Sequence, residues 1–298
     1  MNEKSAPQAP ANNVNSAKTI NDWLIHASHE LTKANIPTAR LDSEVLLGYM
    51  LGVDRTWLIA HANDSLTLSA LSQKGGERRS GLKEYGDKLV LRRLKREPIA
   101  YIIGKKEFYG REFIVSPHVL IPRPESELII EILLELSDIS TTGRLLDVGT
   151  GSGCLAITAK LERPKLEVVA VDIDSTALDV ASANAKRLKT KILAHPADLT
   201  RGTSGKFSYI LANLPYVDRG WERSPETNHE PALALFADNG GLEFIYQLID
   251  QSPSILTENG YLLLEADPEQ HSKIIANAKE HGFRLHESRD YIVVLQKS

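Results

Sequence analysis

The chain has 298 residues and a formal net charge of −4. Hydrophobic residues make up 42% and charged residues 25%, which is typical of a globular protein with a substantial core. This balance excludes a global electrostatic attraction to nucleic acid or to an anionic membrane. Cys154 is the single cysteine, so an internal disulfide is excluded, and the spacing of His and Cys predicts no metal site.

The first 18 residues are rich in Asn, Ala, Pro and Ser and contain no apolar stretch. This composition predicts a disordered tail at 1–18 rather than a signal peptide or an anchor. No apolar run has the length needed to span a bilayer. The sequence therefore predicts a cytoplasmic protein without a membrane partner.

Helical periodicity dominates residues 19–97. Apolar residues recur at three- and four-residue spacing, as in 20–27 and 41–49. A further helix is expected to begin at Thr67, followed by a polar loop at 72–80 and a basic helix that ends before Pro98. We predict a small helical bundle domain at 19–97.

A different pattern begins near residue 101. Aromatic and β-branched residues surround Gly110, which predicts a β-hairpin. We interpret 98–122 as a hairpin linker between the helical domain and a second domain at 123–298.

Strands and helices alternate from Arg144 to the end of the chain. Such alternation predicts parallel βαβ units and an open, doubly wound α/β sheet. The last two strands follow each other closely, so we expect them to form an antiparallel pair at one edge.

A glycine-rich loop follows the first of these strands. It consists of Gly149, Thr150, Gly151, Ser152 and Gly153. Glycines between a strand and a helix allow a tight turn and bring the backbone close to a ligand. The G-x-G-x-G spacing differs from that of dinucleotide enzymes and suits a sulfonium amino acid better than a pyrophosphate.

Acidic residues follow the next two strands. Asp172 lies about twenty residues after the glycines, where a carboxylate accepts hydrogen bonds from both ribose hydroxyls. Asp174 or Ser175 suits the N-cap of the next helix, which leaves Asp172 for the ribose. Asp198 is a candidate for the adenine amino group, with Leu199 packed on the ring, although a loop-capping role for Asp198 is equally compatible.

The fourth strand ends in Asn213, Leu214, Pro215 and Tyr216. In an open sheet, this end faces the glycine loop across the switch point where ligands bind. The side-chain oxygen of Asn213 and the main-chain oxygen of Leu214 can each accept one N–H of a planar nitrogen. Such bonds would orient the nitrogen lone pair and stabilise developing positive charge, while Tyr216 stacks on the planar group. A simple turn containing Asn and Pro is the alternative.

The segment 213–216 resembles the (N/D)-P-P-(Y/F/W) signature of amino-methyltransferases. Three longer segments resemble the release factor glutamine methyltransferases, namely 97–131, 229–249 and 261–270. The resemblance extends from about Glu97 to the C-terminus. It implies a Rossmann-like class I methyltransferase with a seven-stranded sheet, S-adenosyl-L-methionine as cofactor, and transfer of a methyl group to the glutamine of a release factor GGQ motif. It also implies a monomer whose helical domain recognises the substrate.

The same resemblance implies the roles of particular residues. The cofactor-binding set is Gly149, Thr150, Gly151, Ser152, Gly153, Asp172, Asp198, Leu199 and Asn213. Asn213, Pro215 and Tyr216 are the catalytic residues, and Asn213 to Tyr216 hold the glutamine. Arg123 and Glu125 would line the cofactor side, and Phe108 and Glu230 would shape the glutamine pocket.

The sequence departs from this family at three places. Leu214 replaces a usual proline, Ser126 replaces the threonine of PETE, and EADPEQ replaces EIG-x-x-Q. Leu214 still offers its carbonyl, and Pro215 restricts it to extended conformations. We therefore expect activity to survive.

Two other substrates remain open. A glutamine methyltransferase of a ribosomal protein would use the same chemistry. A nucleic-acid amino-methyltransferase would flip a base and usually carries a basic recognition domain. The basic stretch 74–97 has nine Lys or Arg against four Asp or Glu, which a solvated helix face explains more simply. No direct nucleic-acid contact is expected.

Overall fold

The computed structural model describes residues 19–66 and 82–298. The predicted tail at 1–18, the helix expected from Thr67 and the loop at 72–80 lie outside the described residues. The chain divides into two compact units between Ile103 and Gly104.

The described part of the first unit is helical, as the periodicity predicted. Its helices are α1 (Ile20–Lys33), α2 (Ala39–Leu51), α3 (Arg55–Ala60), α4 (Leu82–Leu94) and α5 (Ile99–Ile103). Thr19 and Asp22 form a reciprocal capping box at the start of α1. Trp23 is buried in the core of this unit, and Arg93 on α4 donates to Asp42 on α2 at 2.7 Å in a buried ion pair.

A β-hairpin opens the second unit. Its strands β1 (Lys105–Phe108) and β2 (Arg111–Ile114) pair antiparallel around Gly110, as predicted. Phe108 and Phe113 are fully buried in an edge-to-face pair, within a core cluster that includes helices of the second unit. The interpreted linker 98–122 is thus divided, with α5 in the first unit and the hairpin in the second, because these two phenylalanines bury the hairpin.

The second unit is built on a seven-stranded sheet. Its strands are β3 (Gly143–Val148), β4 (Leu166–Asp172), β5 (Leu193–Pro196), β6 (Phe207–Ala212), β7 (Leu256–Glu265), β8 (Phe283–Arg289) and β9 (Ile292–Lys297). The order is β5-β4-β3-β6-β7-β9-β8. The first five are parallel, and β9 runs antiparallel between β7 and β8. The doubly wound sheet and its antiparallel edge pair are confirmed.

Helices cover both faces of this sheet. They are α6 (Glu127–Glu135), α7 (Cys154–Glu162), α8 (Ser175–Arg187), the single turn α9 (Asp238–Gly241), α10 (Glu243–Gln251) and α11 (His271–Glu280). Neighbouring residues of a strand enter different cores: Leu145 packs with α6 and α7, and Leu146 packs with α10 and α11. Burial on both faces explains why the strands read as continuous apolar runs.

The chain reverses its direction of winding between β3 and β6. From β3 it proceeds to β4 and β5 on one side, and then returns to β6 on the other side of β3. The loops after β3 and β6 therefore separate at the carboxyl edge of the sheet and leave a crevice.

Candidate active site

A pocket occupies this crevice within the second unit. Most of the predicted site residues line it, namely Gly149, Thr150, Gly151, Ser152, Asp172, Asp198, Leu199, Asn213, Leu214 and Pro215. They come from the loops after β3, β4, β5 and β6, which explains how residues distant in sequence meet at one place.

The glycine loop is fixed by backbone hydrogen bonds at its start, and its central glycine has free space beside its Cα. The N–H groups of Gly149 and Thr150 both donate to the carbonyl of Val171 at 2.9 Å. Gly151 has a φ of +54°, and a Cβ added there would meet nothing within 4 Å, although Gly151 lines the pocket. The loop thus presents bare backbone to a ligand, as a tightly held cofactor requires.

Asp147 secures this loop from below. Its Oδ2 accepts hydrogen bonds from Thr150 Oγ1 at 2.7 Å and from the N–H of Ala156 at 3.1 Å. The carboxyl is 1% exposed, and this desolvation raises its pKa to about 6, with Asp172 adding a smaller repulsion. Asp147 therefore supports the loop rather than contacting a ligand.

Gly153 differs from the other predicted glycines because it does not line the pocket. It lies at the start of α7 with a φ of +80°, and an added Cβ would approach Ile157 Cδ1 at 2.9 Å and Ala181 Cβ at 3.0 Å. Its glycine character is required by the packing of α7 against α8.

Asp172 and Asp174 make different hydrogen bonds at the end of β4. The Oδ2 of Asp172 accepts from the N–H of Gly151 at 2.9 Å, and its Oδ1 accepts from the N–H of Asp174 at 3.0 Å. Burial raises the pKa of Asp172 above its usual value, while these two backbone donors oppose the shift. Asp174 caps α8 through the N–H of Thr176, as predicted for Asp174 or Ser175.

The loop after β5 carries Asp198 and Leu199 into the pocket. Asp198 Oδ2 accepts from Arg201 at 2.8 Å and remains partly exposed. Leu199 is buried with a φ of +53°, a region that non-glycine residues rarely occupy. Such strain at a pocket-lining leucine marks a backbone held in place by its surroundings.

Asn213 belongs to a chain of hydrogen bonds that leads to the buried Glu265. Its Nδ2 donates to Ser126 Oγ at 2.9 Å, and Ser126 Oγ donates to Glu265 Oε2 at 2.5 Å. The hydroxyl of Tyr216 donates to the other carboxylate oxygen, Glu265 Oε1, at 3.1 Å. Burial raises the pKa of Glu265 to about 7, and the same burial with the nearby carboxylate raises that of Tyr216.

The family comparisons agree with this geometry. The Methyltransferase small domain matches residues 125–233, and the PrmC N-terminal domain matches residues 22–74. A release factor glutamine methyltransferase of Koribacter versatilis is 37% identical over 260 residues, which cover 84% of this chain and 89% of that protein. A second, of Neisseria gonorrhoeae, is 36% identical over 236 residues, covering 78% and 86%. This chain belongs to the release factor glutamine methyltransferase family.

A comparison with solved structures shows a shared fold. A methyltransferase of Pyrococcus furiosus superposes with a TM-score of 0.51 at 18% identity, covering 70% of this chain and 97% of that one. Membership of the release factor glutamine methyltransferase family makes this chain an S-adenosylmethionine-dependent methyltransferase.

Tyr216 lies beside the pocket rather than on its lining. Its hydroxyl is tied to Glu265, and its carbonyl accepts from Gln270 Nε2 at 3.0 Å. Gln270 also donates to the carbonyl of Gly240 at 2.7 Å. These bonds fix the segment that follows Asn213, while stacking of Tyr216 on an amide stays a prediction.

The four residues expected to line the cofactor side or to shape the glutamine pocket have different outcomes. Arg123 lines the pocket and forms a 2.6 Å ion pair with the buried Glu230, whereas Glu230 and Glu125 do not line it. Phe108 was the wrong choice for the glutamine pocket, because its ring is fully buried against Phe113 in the core.

Sequence reasoning gave no site role to several residues at the pocket. Ser126 appeared only as a departure from a family motif, and Glu265 only within a resembling segment. Phe244 on α10 lines the pocket and, like Glu265, lay only within a resembling segment. The position of Glu265, immediately after the apolar run of β7 at the same edge as Asn213, was the available signal.

Within the described residues, no helix combines the length and the apolar character needed to cross a membrane. The same residues contain no group of three or more His, Cys, Asp or Glu side chains arranged to hold a metal ion.

Proposed function

We propose that this chain transfers the methyl group of S-adenosylmethionine to the side-chain amide nitrogen of a glutamine in the GGQ motif of peptide chain release factors. The observation that carries the proposal is the orientation of Asn213 at the pocket. Its Nδ2 is engaged by Ser126, and its Oδ1 makes no hydrogen bond with any residue in 19–66 or 82–298. An acceptor is thus directed at the crevice where a substrate amide would enter.

An amide nitrogen is a weak nucleophile because its lone pair is delocalised. In the proposed reaction, Oδ1 of Asn213 and the main-chain carbonyl of Leu214 each accept one N–H of the glutamine. These bonds direct the lone pair at the methyl group and stabilise the positive charge that develops on nitrogen. The cofactor supplies an electrophilic methyl on a sulfonium centre. With that cofactor bound, the N–C bond would form as the S–C bond breaks, and the nitrogen would then lose a proton to solvent without a general base.

The pocket suits such a cofactor. The bare backbone of Gly151 can approach the methionine portion closely, and Asp172 offers carboxylate oxygens for the ribose hydroxyls. Leu199 offers an apolar surface for the adenine, with Asp198 beside it. We propose these contacts for the bound cofactor.

The helical unit is the proposed recognition surface for the release factor. Support comes from its separate compactness and from its match to the PrmC N-terminal domain. A chain that begins at Gly104 should keep cofactor affinity and lose most methylation of the intact release factor. Full activity of that chain would reject this role.

We further propose that the protein acts as a monomer in the cytoplasm, where its substrate is synthesised. Light scattering of the purified chain tests the first point, and fractionation of the source cells tests the second.

The decisive experiment uses cofactor with a deuterated methyl group and an intact release factor. Mass spectrometry should locate the label on the glutamine of GGQ, and a release factor with that glutamine replaced by alanine should remain unlabelled. Labelling of a ribosomal protein or of nucleic acid in parallel reactions, with none on the release factor, would overturn the proposed substrate.

A further inference from the structure

Asn213 is useful to an amide substrate in only one of its two side-chain orientations. With Oδ1 towards the pocket it accepts an N–H, and with Nδ2 towards the pocket it opposes the N–H groups of the substrate. The two orientations have the same shape, so packing alone selects between them weakly. The choice must come from a hydrogen-bond partner.

That partner is Ser126, which is 2% exposed and lies between Asn213 and Glu265. A serine hydroxyl has one hydrogen to donate, and here it points to Glu265 Oε2 at 2.5 Å. Ser126 can therefore only accept from Asn213, which requires Nδ2 to face it, as the 2.9 Å bond shows. An inverted Asn213 would place an oxygen against the lone pairs of Ser126.

Glu265 fixes the direction of this chain because an ionised carboxylate is an acceptor only. It is 1% exposed, and its second oxygen accepts the hydroxyl of Tyr216 at 3.1 Å. One carboxylate thus orders two residues of the 213–216 segment from below. Its location is set by the sheet, since Asn213 and Glu265 follow the paired residues Ala212 and Leu264 of β6 and β7.

We propose that Glu265 and Ser126 are positioning residues that hold the Asn213 amide with its oxygen towards the substrate glutamine. The inference rests on the proposed function for its kinetic consequence, while the orientation itself is a property of the protein alone. Neither residue touches the reacting atoms. Their effect is to remove the inverted, unproductive orientation of Asn213 before the substrate binds.

The kinetic test compares Ser126→Ala, Glu265→Gln and Ser126→Thr. Ser126→Ala should lower kcat on the release factor by on the order of 10- to 100-fold, while KM and cofactor Kd change by less than about threefold. Glu265→Gln should lower kcat similarly, because glutamine has only one acceptor oxygen. The hydroxyls of Ser126 and Tyr216 each need an acceptor oxygen. Ser126→Thr retains the hydroxyl and should restore most of kcat.

Two controls separate positioning from a general structural effect. Ser252 is fully buried and donates to the carbonyl of Leu248 at 2.6 Å, so Ser252→Ala removes a comparable bond away from the pocket and should leave kcat unchanged. In an Asn213→Ala background, adding Ser126→Ala should cost less than about twofold, because the residue acts through Asn213. If Ser126→Ala lowered kcat in that background as much as it does in the unaltered chain, the proposal would be overturned.

A measurement without turnover tests the orientation directly. In 15N-labelled protein, the side-chain amide protons of Asn213 should show a nuclear Overhauser effect to the β-protons of Ser126, and Glu265→Gln should weaken it. Absence of this effect in the unaltered chain, or an unchanged kcat in Ser126→Ala, would overturn the proposal. If the effect is present and responds to Glu265→Gln while the unaltered chain methylates no glutamine, the proposed function fails and the positioning network stands.

Discussion

Leu214 packs across the pocket against Gly149: a Cβ built on Gly149 would lie 3.0 Å from Leu214 Cδ2. Leu214 is 5% exposed and joins the same core cluster as Val148 and Leu199. The residue that departs from the family signature thus contributes its side chain to the wall between the glycine loop and the β6 loop. The backbone carbonyl of Leu214 is expected to matter for turnover, and its side chain for stability.

Gly149→Ala should destabilise the protein and weaken cofactor binding. The φ of Gly149 is +70°, and the added methyl also meets Leu214, so we expect a loss of about 1–3 kcal/mol in the free energy of unfolding. Cofactor affinity should fall at least about tenfold, because the displaced loop no longer presents its backbone. Calorimetry and thermal melting measure the two effects.

Gly202→Ala is the matched control for Gly149→Ala. Gly202 has a φ of +82° with nothing within 4 Å of an added Cβ. Alanine there therefore adds only backbone strain and no steric contact. The variant should lose about 1–2 kcal/mol of stability and keep its cofactor affinity. Equal effects of both substitutions on affinity would show that contact with Leu214 is unimportant.

Asp172→Ala should weaken cofactor binding by about 1–3 kcal/mol, the range for losing a charged hydrogen-bond partner. Asp174→Ala removes a helix cap instead and should cost about 1 kcal/mol of stability with a much smaller effect on affinity. The two carboxylates stand two residues apart, so the comparison separates binding from capping. Unchanged calorimetric affinity in a folded Asp172→Ala protein would remove Asp172 from the site.

The sequence predicted the sheet well because its signals are local. Continuous apolar runs such as Leu145 and Leu146 follow directly from burial on both faces of parallel strands. The meeting of the loops after β3, β4 and β6 at one pocket was also predictable, since topology brings the carboxyl ends of these strands to one edge. Only the winding rule was needed to bring Gly149 and Asn213 to the same crevice.

The network beneath the pocket was not predictable in the same way. Ser126 and Asn213 are 87 residues apart in sequence, and Ser126 and Glu265 are 139 apart. Hydrogen bonds between residues so far apart produce no periodic pattern in the sequence and no local motif that would show which side chains meet. Phe108 was expected at the pocket and lies in the core instead. Nothing in the sequence separates these two roles for an aromatic residue in a hairpin beside a motif.

Asn213→Ala should lower turnover by on the order of 100-fold or more, as for the loss of one oriented polar group. Cofactor Kd should change much less, because the bond to the glutamine strengthens as charge develops on nitrogen. Single-turnover kinetics with saturating cofactor measure the chemical step. Near-normal turnover in the folded variant would contradict the proposed amide geometry.

Stability should fall as pH rises through about 6 to 7. Burial raises the pKa of Asp147 from 3.8 to about 6 and that of Glu265 from 4.5 to about 7. A raised folded-state pKa contributes stability that is present below the unfolded-state value and is lost as pH rises through the folded-state value. We expect a loss of about 2–3 kcal/mol from each carboxyl between pH 4 and pH 8, measured as a falling Tm.

Turnover should change in the opposite direction. Protonated Glu265 has its own O–H, so it no longer forces Ser126 to donate, and the orientation of Asn213 is released. Glu125 raises and Arg123 lowers the same pKa. The kcat should therefore rise through about pH 7, and Glu265→Gln should flatten both profiles. A Tm that rises steadily over this range in the unaltered chain would contradict the raised pKa values.

Leu214→Pro restores the residue usual in the family signature and separates the two contributions of Leu214. Proline keeps the carbonyl, and it restricts Asn213 as the residue before it. Within the described part of the chain the N–H of Leu214 has no hydrogen-bond partner, so proline removes no donor that is in use. Turnover should remain within about threefold of the unaltered chain, or rise slightly.

Stability should respond differently, because proline cannot fill the space of the leucine side chain against Gly149. A loss of about 1–3 kcal/mol in the free energy of unfolding is expected, less than the roughly 2–5 kcal/mol typical of a buried leucine cut to alanine. Leu214→Ala supplies that comparison and should show the larger drop in Tm with the carbonyl still in place. If the carbonyl is the only contribution to catalysis, both variants keep their turnover at temperatures where they are folded. A collapse of turnover in Leu214→Pro at an unchanged Tm would show instead that the leucine side chain shapes the glutamine pocket.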